Sequence, residues 1–298
     1  MLNMHDGLLP GTFYRDVKDF GSGTTLNIKT IGSVTLQEAS EDTPLIYNPI
    51  ETGNITFAIT EYKGDAWYVT DDIREDGTDI DRLMAERAAE STRAIQEDFE
   101  SAFLRTAASR YVDGGDAEND ASNINNQPHH IVSTATNNVF QLSQLIRAKL
   151  SFNKANVPEE GRVFICDGVV EATLNSLVTV THDVSPFGQK LLEAGMARGQ
   201  AFIMKLYGFD IITSNRLHRG QYRDGTTTVA NGIGNLAMCI LDDQTKPLMA
   251  AWRRIPKVEG ERNKDRGRDE FVTRGRYGIG YQRLDTIICL PTNADLFA

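Results

Sequence analysis

From Thr78 to Asp113 the chain contains no glycine and no proline, and its apolar residues recur three and four apart. Ile80, Met84, Ala88, Ile95, Phe99, Ala102, Phe103 and Thr106 trace one face, while Arg82, Glu86, Arg87, Glu90, Arg93, Glu97 and Glu100 trace the other. Thr78 is a suitable N-cap, and Asp79 and Asp81 suit the positive end of a helix. The pattern predicts one helix of about 33 residues, a rod of ~50 Å at ~1.5 Å per residue. Ordinary helices average ~12 residues. The stripe does not keep a strict heptad, so the rod is no coiled coil. It must span something broad, with its apolar face committed to its own core.

Around this rod the period is two. Residues 1–31 are polar and glycine-rich and read as an extended arm. Val34 and Leu36 alternate, then Ile55, Phe57 and Ile59, with the aromatic pair Trp67 and Tyr68 after a turn-like Lys63-Gly64-Asp65. This predicts a long β-hairpin over 32–73, too apolar to stand alone in water. Past the helix, Val139, Leu142, Leu145, Ile146 and Leu150 give a second helical face. RVFIC (162–166) reads as a buried strand, VVEATLNSL as a short helix and LLEAGMA as another. In LYGFDIITSNRL (206–217), alternation sets Phe209 and Ile211 against Asp210 and Ile212, a strand running out to a loop. The strands LAMCIL, PLMAAW and DTIICLP follow. The order is mixed rather than regularly βαβ, so the class is α+β.

With 40% hydrophobic and 8% aromatic residues, the chain can build a real core. No apolar run approaches the ~20 residues of a membrane helix, and the N-terminus lacks the basic start and apolar stretch of a signal peptide. Cys166, Cys239 and Cys289 lie far apart in apolar runs and read as buried free thiols. The net charge of -10 disfavours a protein that grips nucleic acid through counterion release. That charge is uneven: residues 253–276 carry nine basic and five acidic residues. A solvated strand and turn explains the stretch, as does a seam that meets an acidic partner surface.

The motifs that carry chemistry fail on inspection. In Asp72-Ile-Arg-Glu-Asp-Gly, Arg74 occupies a calcium-ligand position and Leu83 stands where the bidentate glutamate belongs. Gly232-Ile-Gly-Asn-Leu-Ala has dinucleotide-loop glycines but precedes a strand, which is a hairpin or loop signal. Ser151 and Lys154 have the spacing of a lysine-activated serine nucleophile, yet the companion motifs are missing and a helix C-terminus favours lysine for its charge. His129 and His130 are adjacent and cannot share a helix face as a metal pair. His5, His182 and His218 are isolated. No catalytic residue, metal site or cofactor is expected.

As an order of elements, nearly the whole chain resembles the major capsid proteins of tailed bacteriophages, the Hong Kong 97-type coat fold. TDDIREDGTDIDRLMAERAAEST is similar to that family's entry into its spine helix. KANVPEEGRVFICDGVVEATLNSL resembles the opening of its axial domain, LYGFDIITSNRL a later strand of it, and RDEFVTRGRYGIGYQRLDTIICL the closing strands of its peripheral domain. The resemblance implies an arm at 1–31, an extended loop at 32–75, a peripheral domain at 76–130 and 246–298, and an axial domain at 131–245. It implies a non-enzymatic coat subunit, made in the host bacterial cytoplasm and resident in the virion, that assembles into hexamers and pentamers around double-stranded DNA. The expected partners are further copies, a separate scaffolding protein, a portal protein and a decoration protein, with no sequence-specific DNA binding and no membrane. The contact residues expected between copies are Phe57, Lys63, Trp67, Tyr68, Arg253, Arg254, Arg262, Arg266 and Arg268. Lys63 is a conceivable isopeptide donor, though no cross-link is expected. An encapsulin-like compartment and a serine hydrolase built on Ser151 and Lys154 are the alternatives.

Overall fold

Two sheets share one long helix. The structure, a computed structural model, describes residues 13–18, 23, 25–31, 38, 52–77, 79–111, 124–174, 205–224 and 227–296. In chain order, β1 (Arg15–Asp16), β2 (Thr25–Ile31), β3 (Thr52–Ala58) and β4 (Glu61–Thr70) lead into α1 (Asp71–Asp76) and α2 (Ile80–Ser109). α3 (Leu142–Lys154) precedes β5 (Arg162–Cys166), β6 (Lys205–Leu206), β7 (Phe209–Thr213) and β8 (Arg219–Asp224). Long strands then close the chain: β9 (Thr227–Cys239), β10 (Leu248–Asn263), β11 (Arg268–Tyr281) and β12 (Ile287–Asn293).

The first sheet runs β1-β10-β11-β4. β10 and β11 form a long hairpin through the charged 253–276 stretch, which the sequence suggested as a solvated strand and turn, and β4 adds antiparallel to β11. α2 lies across one face. Phe99 sits among Tyr14, Trp252 and Tyr277 at centroid separations of 5.5, 4.8 and 5.1 Å. The Tyr277 hydroxyl donates to Asp98 at 2.6 Å, and the Tyr281 hydroxyl to the Thr106 carbonyl at 2.5 Å. Gly275 lets the helix come this close, because a Cβ there would stand 2.7 Å from a methyl of Ile95.

The 30 residues of α2 make a rod of ~45 Å. Its buried side chains are Ser91, Ile95, Phe99, Glu100, Ala102, Phe103, Leu104, Ala107 and Ala108. The first three turns, Ile80 to Glu90, contribute none, and Leu83 is 49% exposed. On the expected apolar face Ile80, Met84 and Ala88 are half-buried, so this stretch serves its own core less completely than the rest of the helix, while Leu83 lies off that face. The residue before the helix, Asp79, adopts φ 64°, a left-handed conformation that aspartate tolerates better than most residues. The expected cap Thr78 lies outside the described residues.

The second sheet runs β12-β9-β5-β7-β6, with β8 pairing β9. β5 and β7 are parallel, and the other pairs are antiparallel. Both faces are covered. Phe164, Cys166, Phe209, Ala237, Cys239 and Ile288 meet Leu145, Ala148 and Phe152 of α3. Val163, Ile165, Leu236, Met238 and Cys289 meet Phe103, Leu104 and Ala107 of α2, with Tyr111 just beyond it. Double coverage is why RVFIC is apolar throughout rather than alternating. Arg162 is tolerated because its guanidinium donates to the Val157 and Pro158 carbonyls at 2.7 and 2.8 Å. The three cysteines are buried and free, as the sequence indicated.

Several local expectations shift. The N-terminal ribbon pairs β2, Thr25–Ile31, with β3, so its first strand lies before the 32–73 span and inside the segment read as an arm. Lys63, Gly64 and Asp65 form no turn, since they run through the middle of β4. β12 pairs with β9 in the second sheet and does not close the first. Gly232 and Gly234 lie within β9 and carry no loop. A Cβ at either would strike the Tyr222 ring, which crosses the strand there. The segments THDVSPFGQ and LLEAGMA lie outside the described residues.

Candidate assembly surface

Alternation in β4 sorts its side chains into two sets. Lys63, Asp65 and Trp67 face α2: Lys63 pairs with Glu61 at 3.4 Å and Asp98 at 3.9 Å, and Asp65 accepts from Ser91 at 2.6 Å and Arg87 at 2.8 Å. Tyr62, Gly64, Ala66 and Tyr68 face away. In β11 their partners are Arg276, Arg274, Val272 and Glu270. The result is a flat outer shelf with Tyr62 and Tyr68 exposed at its ends, small residues between them and exposed Arg274 alongside. The neighbouring β10 is bulged near Trp252, Arg254 and Lys257 and exposes Ile255 at 74%. Bulges and Pro256 on this outer strand hinder runaway edge pairing.

The far end of the sheet is strapped by ions. Arg262 grips Asp71 through two bonds of 2.6 and 2.7 Å and reaches Asp269 at 3.2 Å, while Arg74 pairs with Asp269 at 2.6 Å. The Arg262 guanidinium holds the Asp71 carboxyl below its usual range, and the Asp71 bond raises Arg262 in turn. Arg268 donates to Glu270 at 2.7 Å and lies 4.3 Å over the Tyr68 ring. These pairs fix the tip of the β10–β11 hairpin against α1. At the other end, Arg216 bonds Glu97 at 2.9 Å and Glu100, tying α2 to the loop after β7.

The residues named for contact between copies therefore divide. Phe57 is 1% exposed and packs on Met249 and Ala251, so the chain's own core takes it and nothing is left for a neighbour. Trp67 stacks on Phe271 at 4.2 Å, on the side toward α2, and Lys63 is spent on α2. Arg254 pairs with Glu259 at 2.8 Å, and Arg262 and Arg268 pair within the chain. Tyr68, Arg253 and Arg266 remain on the surface. Tyr62, Arg274 and Ile255, which were not among the named residues, are exposed beside them. Strict parity along β4 would have found Tyr62 as the companion of Tyr68.

The Ser151 hydroxyl is fully buried and donates to the Pro128 carbonyl at 2.8 Å, so its proton is committed to structure, in keeping with the reading of Ser151 and Lys154 as a helix end. His129 contacts the Gln127 and Asp285 carbonyls at 3.3 and 3.1 Å. His130 is fully buried beside Tyr111 with neither ring nitrogen partnered, and burial lowers its pKa to about 4. Among the described residues no group of His, Cys, Asp and Glu could hold a metal, and no helix is long and apolar enough to cross a membrane.

Residues 53–288 match the sequence profile of a family described as phage capsid protein. No curated protein matches the sequence significantly. The fold is similar to the capsid of the cyanophage P-SCSP1u, at 18% identity over 92% of this chain and 85% of that one, with a TM-score of 0.67. The capsid of cyanophage Pam1 matches at 12% identity, covering 95% and 88%, with a TM-score of 0.63. That of Ralstonia phage GP4 matches at 10% identity, covering 95% and 88%, with a TM-score of 0.62.

Proposed function

Since the chain belongs to the phage capsid protein family, we propose that its copies are joined through the outer shelf of the first sheet, with the β2–β3 ribbon reaching between them. The protein is a structural, non-enzymatic component of a phage head and is carried in the virion. The enzyme-housing compartment and the serine hydrolase are not favoured. The observation that carries the contact reading is the shelf itself: Tyr62 and Tyr68 stand exposed on a face that the chain's own helix leaves bare, beside Arg274. Tyrosine and arginine are the residue types that dominate protein contacts.

In this reading, hexamers and pentamers form from copies whose first sheet and α2 make a peripheral layer, with the second sheet and α3 making an axial one. Arg253 and Arg266 border the peripheral contact. A scaffolding protein, a portal and a decoration protein complete the assembly, and the net charge of -10 keeps packaged DNA from adhering to the wall. Synthesis takes place in the host bacterial cytoplasm.

The experiment compares wild-type chain with Tyr62→Ala/Tyr68→Ala/Arg274→Glu, each expressed with the neighbouring genes' products and viewed by negative-stain electron microscopy. Shells from the wild type and soluble, folded small species from the triple variant are expected. Normal shells from the variant would place the contact elsewhere.

A further inference from the structure

Two surfaces far apart in sequence are left uncovered, and they have opposite charge. The first is the outer face of α3. Leu145, Ala148, Ser151 and Phe152 turn inward, while Ile146 and Leu150, one helical turn apart, are 47% and 46% exposed. α3 contains Arg147, Lys149 and Lys154 and no carboxylate, in a chain whose net charge is -10. None of these three cations has an ion-pair partner among the described residues.

The second is the entry to α2. Residues 71–90 hold eight carboxylates against three arginines. All three arginines are occupied, Arg74 by Asp269, Arg82 by Glu86 and Arg87 by Asp65. Asp72, Glu75, Asp76, Asp79 and Asp81 have no partner among the described residues. In their midst Ile73 of α1 and Leu83 of α2 are 53% and 49% exposed, Leu83 on the three turns of α2 that bury no side chain fully.

Each surface supplies what the other lacks: an apolar pair with unpaired cations, and an apolar pair with unpaired carboxylates. We propose that α3 of one copy docks on the α1–α2 entry of a second copy, Ile146 and Leu150 meeting Ile73 and Leu83 while Arg147 and Lys149 meet Asp79 and Asp81. The two faces differ, so the contact is head-to-tail. Every copy offers both halves, and the contact propagates into a ring or chain instead of stopping at a dimer. Charge complementarity fixes the partner's orientation and selects the acidic end of α2 over its buried, sheet-packed end. The contact rests on the assembly reading above and specifies part of it, independently of the tyrosine shelf.

The test pairs Ile146→Cys with Leu83→Cys in one chain, assembled with the wild-type helper proteins and oxidised. The three native cysteines are fully buried and stay silent. Non-reducing gels of intact particles should show a ladder of dimers, trimers and higher multimers, absent from either single-cysteine variant. Particles seen by microscopy without a ladder overturn the docking and leave the capsid reading standing. A link within one chain, seen as a shifted monomer band, also overturns it. Loss of particles altogether is resolved by charge exchange: Arg147→Glu/Lys149→Glu should abolish assembly and Asp79→Lys/Asp81→Lys should restore it. Failure of that rescue overturns the proposal.

Discussion

The two ends of α2 are one continuous helix in opposite environments. From Ser91 to Ala108 the helix is keyed into two sheets, with Phe103 and Leu104 fully buried. From Ile80 to Glu90 it carries the same kind of amphipathic repeat, yet Ile80, Met84 and Ala88 are only half-buried and Leu83 is exposed. A periodic pattern fixes the helix and its apolar face, but it does not say what covers that face. In a protein that works as a lattice, the cover can come from another copy.

The contrast breaks most visibly at Phe103. Phe103→Ala removes a ring from the core shared by α2 and the second sheet, and should cost the isolated subunit about 3–5 kcal/mol in urea unfolding. A loss under about 1 kcal/mol would mean that this end of the helix is as dispensable as the other.

Acid sharpens the same contrast, because His130 is buried beside Tyr111, just past the packed end of α2. Its pKa is about 4 in the folded chain, lowered by burial, against ~6.5 when unfolded. Between those values the unfolded chain binds the extra proton, so stability rises with pH. The contribution is fully present above about pH 6.5 and is lost as pH falls through 4, amounting to about 3 kcal/mol. Chemical unfolding at a series of pH values should show that loss, and His130→Phe should remove most of it. An unchanged acid limb in the variant would assign the loss to other groups.

The smallest effect belongs to the bare end. Leu83→Ser should shift subunit unfolding by no more than about 0.5 kcal/mol, as expected for a surface position. Assembly yield should nevertheless fall. If the subunit itself were destabilised by several times that amount, Leu83 would have a covering within its own chain.

Most of the scaffold was legible residue by residue. The 3.6 period gave α2, the continuous apolar run gave β5, and alternation placed Phe209 and Ile211 inward in β7. Which β side chains are exposed was not legible, because exposure depends on which face another element covers. Trp67 and Tyr68 are neighbours with equal propensity for an interface. One stacks on Phe271 and the other faces outward, because α2 lies on only one side of β4.

The sequence by itself determined the long helix, the α+β class, the buried thiols and the resemblance to a coat protein, since these follow from local periodicity, composition and element order. Only the tertiary structure decided that β12 joins the second sheet, that β2 begins at Thr25, that Phe57 is core and that Ser151 is bonded to Pro128. It also decided that the first three turns of α2 are only partly covered, with Leu83 left exposed. Strand partners and burial are set by contacts between residues tens to hundreds of positions apart. A pattern read within one turn or one strand records which face is apolar, and the rest of the molecule decides what that face meets.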